Sequence, residues 1–228
     1  MALWKWNGYD YLKIPLHSAD TGNLKAMLYG TGESLKEANK SPKGYMRFCI
    51  NYAYREVEPH YFIAMDDPNK FGRELMEMPF RKVFSGGYAD IKVDGIAAKE
   101  YPETYFADIQ SDSRGSIFFN KGMDCRFFFS RKSMFVALHF IMYMGFKHIA
   151  FSGVDLSGDY FYNQKLNDAE KKTLEEEFIF MQWFAEACPK ANVTLENTSK
   201  VSRLNEILKP GVSKDAVPDV SPSEQKVC

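Results

Sequence analysis

Apolar side chains fall along this chain in short runs, each stopped by glycine, proline or a polar turn residue. The first run, 25–29, is broken by Gly30-Thr31-Gly32. The next, 47–50, ends at Asn51, and 60–65 ends at Asp66-Asp67-Pro68. A run at 82–84 precedes Gly86-Gly87, 148–152 precedes Gly153-Val154-Asp155, and 193–197 is the last. Short continuous apolar runs between turn signals predict strands buried on both faces. Helical periodicity lies between them. Met134, Leu138, Ile141 and Met142 share one face over 133–145, and Gly145 stands where a helix-ending glycine belongs. Residues 167–188 form a second helical pattern, with Asn167 or Asp168 as cap and Pro189 as stop. Phe178, Met181, Trp183, Phe184 and Ala187 are its expected buried side. Shorter helices are predicted from Ser34, over 73–78 and over 201–208. Alternating strands and helices predict an α/β fold, Rossmann-like, with a mostly parallel sheet and helices on both faces.

The rest of the chain is less regular. Residues 1–22 read as a polar and aromatic lead-in. The stretch from about 86 to 130 has many aromatics, several glycines and weak periodicity, and reads as an irregular inserted segment. From Lys209 onward three prolines and almost no large apolar side chains predict a disordered tail over 209–228. The expected organisation is one α/β domain over 1–208. Lys+Arg of 29 against Asp+Glu of 30 argues against a uniformly basic nucleic-acid binder and leaves room for a local basic patch. No run approaches the ~18 apolar residues of a membrane span, and no apolar signal core opens the chain, so a soluble cytoplasmic protein is expected. None of Cys49, Cys125, Cys188 and Cys228 forms a C-x-x-C pair, which argues against a cysteine zinc cage. No G-x-S-x-G elbow is present.

Sheets of this class bind ligands beyond the carboxyl ends of their strands, near the point where strand order reverses. The chemistry is therefore sought there. Gly30-Thr31-Gly32-Glu33-Ser34-Leu35 offers two glycines before a helix start, which suits a phosphate or serves as a plain strand-to-helix turn. Asp66 and Asp67 could hold a divalent cation, or simply turn the chain before Pro68. Gly153 would let a ligand lie against the backbone, and Asp155 would point a carboxylate into the crevice. Lys121 to Lys132 interleaves cations with Phe127-Phe128-Phe129, either to grip phosphates and stack on bases or as a buried strand with solvated flanks. Arg131 and Lys132 stand at the start of the long helix, where a phosphate is favoured. His148 falls at the start of its strand, away from the crevice.

Taken together these segments resemble a group of bacterial, archaeal and phage α/β enzymes. The Gly30–Leu35 loop, Asn51 after the second strand, Tyr61 to Asp66, Ser133 to Asp155 and Val193 to Ser199 each look like a segment of that group, in order, over about 24–208. One branch is the family 42 sialyltransferases, which use CMP-activated sugars. The other is the 6-hydroxymethylpterin pyrophosphokinase-like set of domain of unknown function 115. The resemblance implies a nucleotide-binding sheet and a transferase using a CMP- or UDP-linked sugar. The acceptor would be a glycan or a hydroxymethylated base of phage DNA. The alternatives are a Mg-dependent pyrophosphokinase acting on a pterin-like alcohol and a non-catalytic nucleotide-binding module. The residues implied for the nucleotide are Gly30, Thr31, Gly32, Glu33, Ser34, Asn51, Arg131, Ser133, Gly153, Asn197 and Ser199. Asp155 and Asp66 are the catalytic candidates, Asp66 and Asp67 the candidates for Mg. The sialyltransferase branch takes its base from a histidine after the Gly-x-Asp strand. This chain has none after His148, so Asp155, Asp159, Asp66, Asp67 or the leaving phosphate would serve. A homo-oligomer is left open.

Overall fold

The computed structural model describes residues 3–13, 25–107, 109–111, 127–129, 132–161 and 165–208. In chain order its strands are β1 (Leu3–Trp6), β2 (Tyr11–Lys13), β3 (Lys25–Tyr29), β4 (Tyr45–Ile50), β5 (Tyr61–Ile63), β6 (Arg81–Ser85), β7 (Lys92–Val93), β8 (Ile96–Ala97), β9 (Thr104–Ala107), β10 (Ile109–Ser111), β11 (Phe127–Phe129), β12 (His148–Ser152) and β13 (Thr194–Asn197). The α-helices are α1 (Gly72–Glu77), α2 (Ser133–Tyr143), α3 (Asp168–Ala187) and α4 (Leu204–Ile207). Nine strands form the main sheet in the order β13-β12-β3-β4-β5-β6-β9-β1-β2. From β13 to β9 every neighbour is parallel; β1 runs antiparallel to both β9 and β2. The chain moves outward from β3 through β4, β5, β6 and β9, then returns to place β12 on the other side of β3. The order therefore reverses between β3 and β12, and a crevice opens there beyond the strand ends.

The apolar runs lack alternation because both faces of the sheet are covered. Phe48, Tyr61, Ile63, Val83 and Phe151 face α2 and α3, while Cys49, Phe62, Phe84 and Ala150 face α1 and the 3-10 turns at Glu33–Glu37 and Asn51–Arg55. On the first face Phe48 stacks on Tyr61 with centroids 5.4 Å apart, and the edges of Phe140 and Phe146 close on it. On the second, Phe62 meets Tyr54, Phe71 and Phe84. Such pairs add to plain area burial, so the high aromatic content goes into two cores, one on each face. α2 is enclosed nearly all round, from Ser133 to Leu138 and again at Phe140 and Ile141. It ends as expected, with Gly145 at φ +92° and its amide donating to Met142 O. Asn167 caps α3 in a reciprocal box with Glu170.

Three expectations are corrected. Residues 3–13 are no mere lead-in: they make the β1–β2 hairpin, whose turn is held by Asn7 Oδ1 accepting from the Tyr9 and Asp10 amides. Only Leu3 of β1 is fully buried, so this end of the sheet carries too little apolar pattern to be seen. The segment expected to be irregular over 86–130 contains β9, an interior strand between β6 and β1, and the β7–β8 hairpin. That hairpin turns at Asp94 and Gly95, both at positive φ, as an Asp-Gly two-residue turn requires. Trp183 is half exposed rather than buried, because Phe178, Met181 and Phe184 define the inward stripe of α3 and Trp183 stands off it. The tail from 209 and residues 112–126 lie outside the described residues. No described helix is long and apolar enough to cross a membrane.

Lys82 on β6 is fully buried, and its ammonium donates to Met78 O (2.6 Å) and Phe80 O (3.1 Å). Burial lowers its pKa from 10.5 to about 8. Between those values the unfolded chain keeps a proton that the folded chain has shed, so this group makes stability rise with pH. Urea unfolding of the wild type and of Lys82→Met should diverge by on the order of 1–2 kcal/mol between pH 8 and pH 10, the wild type gaining. Parallel curves would show that Lys82 stays charged in the fold.

Candidate functional site

The glycine loop and the Gly153-Val154-Asp155 segment lie side by side at the reversal point, on the ends of β3 and β12. They touch through backbone. Gly30 N donates to Ser152 O at 2.8 Å and Gly32 N to Gly153 O at 2.7 Å. A Cβ on Gly30 would strike Gly153 O, and one on Gly153 would lie 2.7 Å from Gly30 O. These glycines are needed so that two loops can close on each other. Asp155 completes the contact. It is 5% exposed; Oδ2 accepts from Ser34 N at 2.8 Å and Oδ1 from Ser34 Oγ. Neither Ser34 nor Thr31 caps the 3-10 turn at Glu33–Glu37. A carboxylate from a distant strand does, where the turn's free amides favour it.

This geometry revises three expected roles. The amides of Gly30, Gly32, Ser34 and Leu35 all donate inside the protein. Gly153 faces Gly30 and Leu35, where a ligand was expected. Asp155 turns its carboxylate onto Ser34, where two donors compensate its burial.

One strand over, Asn51 ends β4 at φ +48°. Its Oδ1 accepts from Ser133 Oγ at 3.2 Å, and Ser133 Oγ accepts from Met65 N at 3.1 Å. Three segments distant in sequence thus meet: the ends of β4 and β5 and the start of α2. Lys132 stands at the cap position of α2 and, among the described residues, makes no side-chain cap bond, so the positive end of an 11-residue helix lies beside the ends of β4 and β5.

The paired acids of the β5 loop divide. Asp67 accepts from Asn69 N at 2.8 Å and caps the turn at Pro68–Lys70. Asp66 is partly exposed and ion-paired with Lys70 at 3.1 Å. One carboxylate is thus held by its own turn and the other by a partly exposed ion pair. Among the described residues no three His, Cys, Asp or Glu gather as metal ligands. This donor set does not fit a protein-built Mg site. Asp159 accepts from Leu166 N at 3.1 Å. Asn197 and Ser199 join a local network: Asn197 Nδ2 donates to Ser199 O and to Asn205 Oδ1, fastening β13 to α4 on the flank of the site. Thr31 gives its carbonyl to Phe161 N at 3.0 Å, and Glu33 is exposed. Arg131 lies outside the described residues, as do Lys121 and Arg126. His148 pairs with Glu196 at 2.8 Å, at the start of β12 and away from the crevice.

Residues that periodicity did not single out complete the surroundings. Tyr160 bridges back to Gly32 and so crosses above the glycine loop. Burial, then the charges of Glu170, Glu177 and Asp66, push its hydroxyl above the usual tyrosine value. Glu177 of α3 sits 2.9 Å from Lys132 Nζ. The 3.6-residue pattern could not reveal Glu177, because a single acid on a mostly charged helix carries no mark of burial.

No family model matches this chain, and no curated protein matches it. Three solved structures are similar. The sialyltransferase Cst-II, as a tyrosine-to-phenylalanine variant in complex with CMP, aligns with TM-score 0.50 at 15% identity over 81% of this chain and 85% of that one. CstII from Campylobacter jejuni in complex with the substrate analogue CMP-3FNeuAc, and Cst-II with trisaccharide acceptor and CMP, each align at 14% identity with TM-score 0.49 over the same shares. At such identity the likeness is one of fold.

The Asp155–Ser34 contact is testable as a double-mutant cycle. Asp155→Asn and Ser34→Ala should each lower unfolding free energy by about 1–3 kcal/mol. The double variant should lose at least about 0.5 kcal/mol less than the sum, measured by urea denaturation at pH 7. Strict additivity would mean that the two side chains do not hold each other.

Proposed function

We propose that this chain is a glycosyltransferase that draws its sugar from a nucleotide donor, CMP- or UDP-linked. The observation that carries the reading is the meeting of Asn51, Ser133 and the N-terminus of α2 at strand ends next to the point where strand order reverses. That place offers an anion a helix dipole, and a nucleoside an amide and a hydroxyl. The fold shared with a sialyltransferase seen with CMP supports it.

In this reading the donor's phosphate lies at the start of α2, near Lys132 and Ser133, with Arg131 beside them in sequence. The glycine loop is the wall that positions it. Asn51 and Ser133 face the nucleoside. Gly30, Thr31, Gly32, Glu33, Ser34 and Gly153 act by building that wall, with Asp155 as its lock, and Asn197 and Ser199 shape the flank. Asp66 is the acid we assign to the acceptor's proton, since Asp67, Asp155 and Asp159 already accept hydrogen bonds from the protein. Transfer then joins the acceptor oxygen to the anomeric carbon as the bond to the donor phosphate breaks, and the proton leaves on Asp66. The acceptor hydroxyl belongs to a glycan or to a hydroxymethylated base of DNA. A formal net charge of -1 favours the glycan, because a DNA track calls for excess cations.

Thermal melts with CMP, UDP, GDP and ATP, each with and without Mg²⁺, test the reading. A cytidine or uridine nucleotide at about 100 times its Kd should add about 2.7 kcal/mol, roughly 5 °C or more, without Mg²⁺. A shift only with ATP and Mg²⁺ would replace the glycosyltransferase with pyrophosphoryl transfer. No shift with any nucleotide would leave a non-catalytic module. Asp66→Asn should keep the nucleotide shift and lower donor turnover by about 10²-fold or more.

A further inference from the structure

Lys132 and Glu177 form a pair that the transfer reaction as described does not use. They come from opposite sides of the site. Lys132 is the residue before α2, and its carbonyl takes the first helical bonds, from Phe135 N and Val136 N. Glu177 lies midway along α3. Their side chains meet at 2.9 Å, with Glu177 only 12% exposed and Lys132 a third exposed. Enclosing a carboxylate this far is unfavourable by several kcal/mol unless a partner compensates it. Placing a lysine at a helix N-terminus is unfavourable too, since both are positive. Each residue is misplaced alone, and each answers the other.

An arriving phosphate changes the balance. It carries more negative charge than Glu177, it is drawn by the same helix end, and it competes for the same ammonium. Lys132 is the more exposed partner and sits on a flexible stem, so it can swing. Glu177 cannot follow it into solvent. Around Glu177 stand Lys132 from the start of α2 and Tyr160 from the segment above the glycine loop. Asp66 after β5 and Glu170 of α3 act on that same tyrosine. Among the described residues Lys132 is the cation that acts on Glu177. Burial already pushes the Glu177 carboxyl above the usual range, and only the Lys132 ammonium pulls it part of the way back.

We propose that Lys132 and Glu177 are an exchangeable ion pair of the donor site: Lys132 leaves Glu177 for the donor's phosphate, and the carboxylate left behind takes a proton from solvent. This rests on the nucleotide reading above. Glu177 is a positioning residue, which holds Lys132 at the mouth of α2 until the phosphate arrives. The exchange makes binding a proton-uptake reaction, so affinity for the nucleotide falls as pH rises.

The test is calorimetric titration of the full chain with whichever of CMP and UDP gives the thermal shift. It is run at pH 7 in two buffers of different ionisation enthalpy, which counts protons directly. The wild type should take up protons as the nucleotide binds. Glu177→Gln, which keeps the shape and removes the titrating group, should take up fewer protons than the wild type, and its affinity should fall less between pH 6 and 8. Lys132→Met should weaken binding on the order of tenfold or more and also lower uptake. Circular dichroism and melting of each variant show that it is folded. Wild-type binding without proton uptake overturns the exchange and leaves the nucleotide site standing, and that measurement needs no variant. Equal uptake in the wild type and Glu177→Gln also overturns it, by moving the proton elsewhere. Absence of heat with every nucleotide overturns the site itself.

Discussion

The backbones at the ends of β3 and β12 approach so closely that no side chain fits between them. Everything at the reversal point depends on this contact. It needs glycine at positions 30, 32 and 153, because a Cβ at any of them would meet a carbonyl or a carboxylate within bonding reach. It needs Asp155 to supply the negative charge that the adjoining turn lacks. The result is a rigid wall built from segments about 120 positions apart. A wall of this kind lets neighbouring side chains be placed within the tolerances that ligand recognition requires.

The contact also explains where ligand chemistry is to be sought. A glycine-rich turn before a helix usually suggests a phosphate seat, but amides can be spent only once. Here the loop's amides go to Ser152, Gly153, Asp155 and Gly32. The helix end with capacity left is that of α2, one strand across, where Asn51 and Ser133 already organise the corner. The paired aspartates after β5 follow the same logic of prior commitment: Asp67 is used by its own turn, and Asp66 keeps oxygen atoms for other work.

Two buried charges show how context separates scaffold from site. Lys82 is enclosed on β6 and tied to two carbonyls at the end of α1, where a cation satisfies acceptors that a helix leaves open. Glu177 is enclosed as well, but its partner is a partly exposed lysine at a helix start. The first arrangement relieves an existing need. The second holds two groups that would each be unfavourable without the other.

Much of the fold could be read in the apolar runs. The strands at 25–29, 148–152 and 194–197 and the helices at 133–143 and 168–187 all follow from runs, periodicity and stop residues. Burial on both faces writes itself as unbroken hydrophobic stretches. β1, β2 and β9 were not readable, being short or at the edge, and β7–β8 showed only its Asp-Gly turn. At the site, the pattern located the strand ends with Asn51 and the glycines, and Ser133 entered through the family resemblance. Which amide each carboxylate would meet stayed out of reach, as did the Lys132–Glu177 contact. Local sequence sets backbone preference and which face turns inward. Hydrogen-bond partners drawn from β3, β12, α2 and α3 depend on the order in which strands lie side by side, and that order exists only once the sheet has closed.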